Sequence, residues 1–119
     1  MNALVQVHPN VAKAQSEFHA DIVREVAAAV ARHPVVVVGM AQNPVVRKVR
    51  RFLDAKGVTY EYLQYGSYLS MWKQRLAIKL WSGWPTFPQV YIHGVLVGGC
   101  KDVMALDQAG ELDRLIARR

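Results

Sequence analysis

The chain has 119 residues, 52% of them hydrophobic, which fits one compact domain with a real core and excludes a disordered polymer. The formal net charge is +6, and the single cysteine, Cys100, excludes an internal disulfide framework and any multi-cysteine zinc or iron–sulfur cage built by one chain. No stretch approaches the roughly 20 apolar residues that span a bilayer, so no membrane association is expected and a soluble cytoplasmic protein is the default expectation.

Residues 1–13 carry little pattern and read as an N-terminal segment with the character of a mobile one; the domain is expected over residues 14–119. From about Ala14 to His33, Phe18, Ile22, Val26 and Val30 recur three or four apart, predicting one helix with Ser16 as its N-cap and Pro34 as its stop. Val35–Val38 is a short β-branched run suited to a strand buried on both faces. Asn43 is a good N-cap and Pro44 a good first residue for a basic amphipathic helix running to about Lys56 and ended by Gly57. Within it Val45, Val49, Phe52 and Leu53 form the apolar face. Arg47, Lys48, Arg50 and Arg51 then fall on a solvated face, and no motif for specific nucleic-acid binding accompanies them.

Val58–Leu63 alternates and is rich in strand formers. Leu69, Trp72, Leu76 and Leu80 mark a further helix. Gln89–Ile92 and Val95–Val97 are strands joined at His93-Gly94, a hairpin signal. Gly98-Gly99 then turns the chain into a final helical region ending near Ile116. The order helix, βαβ unit, helix, β-hairpin, helix describes an α/β thioredoxin-like domain: a four-stranded mixed sheet flanked by helices, with an extra N-terminal helix. His8, His19, His33 and His93 show no metal-ligand spacing.

One stretch is more specific. Arg75, then Trp84-Pro85-Thr86-Phe87-Pro88-Gln89, then Gly98-Gly99-Cys100 resemble the monothiol glutaredoxins at matching spacings from about Arg75 to Ile116. The resemblance implies a glutaredoxin fold and a role in redox homeostasis. It implies a cis bond before Pro88, with Thr86 and Phe87 beside it offering backbone groups to an extended peptide-like ligand. It places the γ-glutamyl end of glutathione at Gly98, Gly99, Cys100 and Asp102, where free amides at a helix start suit a carboxylate. Arg75 would pair with the glycyl carboxylate.

The departures from that pattern are as informative. The family's active loop, Cys-Pro-Tyr-Cys or Cys-Gly-Phe-Ser, aligns with Asn43-Pro44-Val45-Val46. An asparagine can form neither a mixed disulfide nor a ligand to a shared iron–sulfur cluster, so no such cluster and no oxidoreductase chemistry are expected at Asn43. Met40 stands where the family has a lysine, and Lys101 where it has an aspartate. The leading expectation is a non-catalytic module that binds glutathione or a thiol-containing peptide or protein. A second is redox chemistry at Cys100, its thiolate favoured by the helix start and Lys101, by glutathionylation or an intermolecular disulfide. A third is a structural partner-binding protein using the basic helix. The sequence specifies no oligomeric state.

Overall fold

The computed structural model describes residues 5–118. Four strands, β1 (Val35–Gly39), β2 (Glu61–Gln64), β3 (Gln89–Ile92) and β4 (Val95–Gly98), form one sheet in the order β2-β1-β3-β4. β2 runs parallel to β1, while β3 is antiparallel to both β1 and β4. The βαβ unit supplies the parallel pair, because parallel strands need a crossover helix. The hairpin supplies the antiparallel pair, turning on His93 and Gly94, both at positive φ (47° and 83°), as a tight two-residue turn requires.

The helices are α1 (Pro9–Glu17), α2 (Ala20–Arg32), α3 (Pro44–Ala55), α4 (Trp72–Ser82), α5 (Cys100–Gln108) and α6 (Leu112–Ala117). They cover the sheet on both sides, and so the four valines of β1 are all buried. Val36 and Val38 pack with Val26 of α2, Ile78 of α4 and Tyr91. Val37 points the other way, into a cluster with Val49 and Leu53 of α3, Val90, Ile92, Cys100, Val103 and Leu112. Lys56, which caps α3, reaches Asp107 of α5 (2.7 Å) and Asp113 of α6 (3.4 Å), tying the three helices of that layer together.

Four local expectations are corrected. The single helix over 14–33 is two helices. The chain turns at His19, which takes a left-handed conformation (φ 46°). α1 starts earlier, at Pro9, capped by His8, whose Nδ1 accepts the Asn10 amide (3.0 Å). Ser16 is therefore no N-cap; it lies inside α1 and donates its hydroxyl to the Lys13 carbonyl (2.8 Å). β2 begins at Glu61 rather than Val58, because the Val58 amide is taken up by the Leu53 carbonyl (3.0 Å) in closing the end of α3. The last helical region is split at Gly110 into α5 and α6. Finally, the stripe Leu69, Trp72, Leu76 and Leu80 faces solvent, with Leu69 ahead of the helix and 97% exposed; α4 buries Arg75, Ala77 and Ile78 instead.

Candidate functional site

One edge of the sheet collects the residues singled out by sequence. Pairing of Val38 with Gln89 puts the end of β1 beside the start of β3, and pairing of Val90 with Gly98 puts the end of β4 there too. Gly39 pairs with Gln64, which brings the end of β2 to the same edge. The loops leaving β1 and β2 are bound together: the Tyr65 amide donates to the Gly39 carbonyl (2.9 Å) and the Ala41 amide to the Gly66 carbonyl (2.8 Å). In α/β sheets the crevice outside the carboxyl ends of strands is where ligands bind.

Asn43 caps α3 as its sequence predicts. Its Oδ1 accepts the amides of Val45 (2.9 Å) and Val46 (3.0 Å), its backbone carbonyl accepts that of Arg47 (3.1 Å), and Pro44 has no N–H. Every amide of the first turn is thus satisfied within the chain. Met40, just upstream, is buried and apolar.

The Phe87–Pro88 bond is cis, as expected. Thr86 is exposed; Phe87 and Pro88 are buried, with the Lys79 ammonium 5.6 Å from the Phe87 ring. The glycine turn lies directly against this bond: a Cβ on Gly99 would sit 3.4 Å from the Pro88 carbonyl oxygen and 3.9 Å from Trp84 Nε1. Gly98 is held at φ 112°, where a Cβ would fall 2.5–2.8 Å from the side chain of Asp102. That carboxylate reaches back to accept the Gly99 amide (2.9 Å). The Gly99 carbonyl accepts the Val103 amide, leaving those of Cys100, Lys101 and Asp102 with no protein acceptor among the described residues.

Arg75 is 8% exposed. Its Nη1 donates to the carbonyls of Tyr65 (3.0 Å) and Ser70 (2.6 Å), while Nε and Nη2 make no hydrogen bond among the described residues. Trp84 Nε1 is buried and has no hydrogen-bond partner among the described residues.

Cys100 is 5% exposed, packed in the core beneath the turn with its Sγ 3.8 Å from Met104 Sδ. Burial pushes its thiol pKa up, only partly opposed by the nearby Lys48 ammonium. The cation that acts on it is therefore Lys48 of α3, whereas sequence pointed to the exposed Lys101. Of the basic helix, Arg50 lies over the Tyr62 ring (3.8 Å) and its Nε meets the Tyr60 hydroxyl (3.3 Å); Arg47, Lys48 and Arg51 remain exposed.

Two further residues make polar contacts at this edge: Tyr65, which no motif marks, and Gln89, which ends the Trp84–Gln89 motif but whose partners the motif does not show. The Tyr65 hydroxyl donates to the Glu25 carboxylate, forty positions earlier, and burial and this bond raise the phenol pKa. Gln89, wholly buried, donates through Nε2 to the Trp84 carbonyl (3.0 Å) and accepts the Tyr91 hydroxyl (2.8 Å).

The model of one family, described as Glutaredoxin, matches residues 35–97, from the start of β1 nearly to the end of β4. The chain belongs to the glutaredoxin family. A glutaredoxin-like protein of Dictyostelium discoideum is 48% identical over 95 residues, covering 80% of this chain and 77% of its own length. A probable monothiol glutaredoxin 2 of Rickettsia prowazekii is 56% identical over 39 residues, or 33% of this chain and 36% of that protein. Among solved structures, a buckwheat glutaredoxin–glutathione complex superposes with a TM-score of 0.73 over 84% of this chain and 91% of its own. At 23% identity that match speaks to the glutaredoxin fold.

Proposed function

We propose that this glutaredoxin-family protein is a non-catalytic binding module for glutathione or a thiol-containing peptide, acting in redox homeostasis. The observation that carries the proposal is the unequal state of two helix starts at one sheet edge. The start of α3, where the resemblance puts the family's reactive thiol, holds Asn43, and all its first-turn amides are occupied. The start of α5, beside the Pro88 carbonyl, has three amides without an acceptor among the described residues.

The residues present fit glutathione. Its γ-glutamyl carboxylate would meet the free amides of Cys100, Lys101 and Asp102, where the helix dipole adds attraction for an anion. Its glycyl carboxylate would meet the Nε–Nη2 edge of Arg75, a planar pair of donors matched to two carboxylate oxygens. Its peptide stretch would lie along Phe87. Two differences from the family pattern weaken the ligand side: Met40 supplies no cation, and Lys101 stands where the family has an aspartate, while Asp102 is engaged with the Gly99 amide. The burial of Cys100 and its raised pKa weigh against a reaction centred on that thiol.

Titration with glutathione, followed through the amide signals of Phe87, Gly99 and Lys101 and the Arg75 Nε–H, tests the proposal alongside a glutathione-dependent disulfide reductase assay. Binding without turnover is the expected result. No shift of these signals up to millimolar glutathione would end the binding claim, and turnover would end the non-catalytic one.

A further inference from the structure

Arg75 is a long side chain placed at the ligand edge by α4, and a guanidinium recognises a carboxylate well only when its fork is held in the right plane. The structure contains a chain of contacts that could do this. Nη1 is fixed by the carbonyls of Tyr65 and Ser70. Tyr65 is itself fixed three ways. Its amide is bound to Gly39, the next carbonyl is bound to Ala41, and its hydroxyl is bound to Glu25 of α2, a helix that lies ahead of the family match at residues 35–97. Tyr65 is 3% exposed, so its hydroxyl depends on that carboxylate for an acceptor.

We propose that Glu25 and Tyr65 are positioning residues for Arg75: Glu25 holds the Tyr65 side chain, the Tyr65 carbonyl holds Nη1, and the Nε–Nη2 edge is thereby presented to a ligand carboxylate. The inference rests on the reading of Arg75 as a glutathione contact. It extends that reading by giving α2 a part in binding, although neither Glu25 nor Tyr65 touches the ligand. The bond acts through an acceptor rather than through charge, so glutamine at position 25 preserves it while alanine removes it.

The test uses the full chain and its Glu25→Ala, Glu25→Gln and Tyr65→Phe variants. Glu25 is exposed, so its variants leave the core intact. In the ligand-free protein, Glu25→Ala and Tyr65→Phe should move the Arg75 Nε–H signal and speed its exchange with water, and Glu25→Gln should restore both. Glutathione affinity should fall roughly tenfold in the first two variants, the order of one lost hydrogen bond, and recover in Glu25→Gln. An Arg75 Nε–H signal unchanged in Glu25→Ala and Tyr65→Phe overturns the positioning role, whatever glutathione does. So does a Glu25→Gln variant as impaired as Glu25→Ala. If the variants move Arg75 but the unaltered protein binds no glutathione, the positioning of Arg75 stands and the assignment of its ligand falls.

Discussion

Helices α3 and α5 begin at the same edge of the sheet, yet one start is closed and the other open. α3 begins with Asn43-Pro44, an arrangement in which a side-chain oxygen, a carbonyl and a missing N–H account for the entire first turn. α5 is preceded by Gly99, which has no side chain to cap with; Asp102 reaches back only to the Gly99 amide, and the next three have no acceptor among the described residues. A helix start stabilises an anion through its unoccupied amides as much as through its dipole. The start of α5 is therefore the one suited to a carboxylate, and ligand binding is separated from thiol chemistry within one glutaredoxin scaffold.

The comparison can be broken most severely at Gly98. Valine there would be forced to φ 112° and would drive its Cβ into Asp102, displacing the carboxylate from the Gly99 amide. Gly98→Val should lower stability by about 3 kcal/mol in urea denaturation, combining backbone strain with the lost bond. It should also abolish glutathione binding. The closed start is broken more gently. Asn43→Ala should lower stability by about 1 kcal/mol, and Asn43→Ser should recover most of it, because serine also caps.

Asn43→Cys opens the start of α3. It releases the Val45 and Val46 amides and sets a thiol against them, so its pKa should fall below the ordinary value of about 8.5. Titration by thiolate absorbance checks this, and a value at or above 8.5 contradicts the placement of the family's reactive position at Asn43. The smallest effect concerns Cys100, whose backbone belongs to the open start while its side chain points into the core. A thiol with a raised pKa in the folded state keeps its proton there while the unfolded chain loses it. Stability is then complete below about pH 8.5 and falls as pH rises beyond it. Tyr65 and Tyr91 are also raised, Tyr91 to about 12, but they add losses only above about pH 10. Between these limits Cys100→Ala should flatten the decline seen in denaturant midpoints.

What sequence disclosed followed the range of the interactions. The Asn43-Pro44 start, the valine strand and the His93-Gly94 turn depend on neighbouring residues, and each was legible. The order of elements followed from their periods, and Trp84–Gln89 with Gly98–Cys100 carried the family. The break at His19 was hidden because a left-handed residue that is not glycine leaves no compositional mark. The direction in which the apolar stripe of α4 faces was hidden, because periodicity shows that one face differs from the other, not which one is covered. Arg75 took the inner side because the Tyr65 and Ser70 carbonyls await it there. The Glu25–Tyr65 pair was out of reach for a related reason, since only the packed α2 brings residues forty positions apart together. Lys48, not Lys101, acts on Cys100 because α3 and α5 pack side by side.

The most direct measurement is a two-dimensional NMR titration of the intact protein with reduced glutathione, run beside a glutathione-dependent disulfide reductase assay on the same sample. The account predicts saturable shifts at Gly99, Lys101, Phe87 and the Arg75 Nε–H, none of comparable size at Val45 and Val46, and no turnover. Shifts centred on Val45 and Val46, or no shifts at all, or turnover, would contradict it.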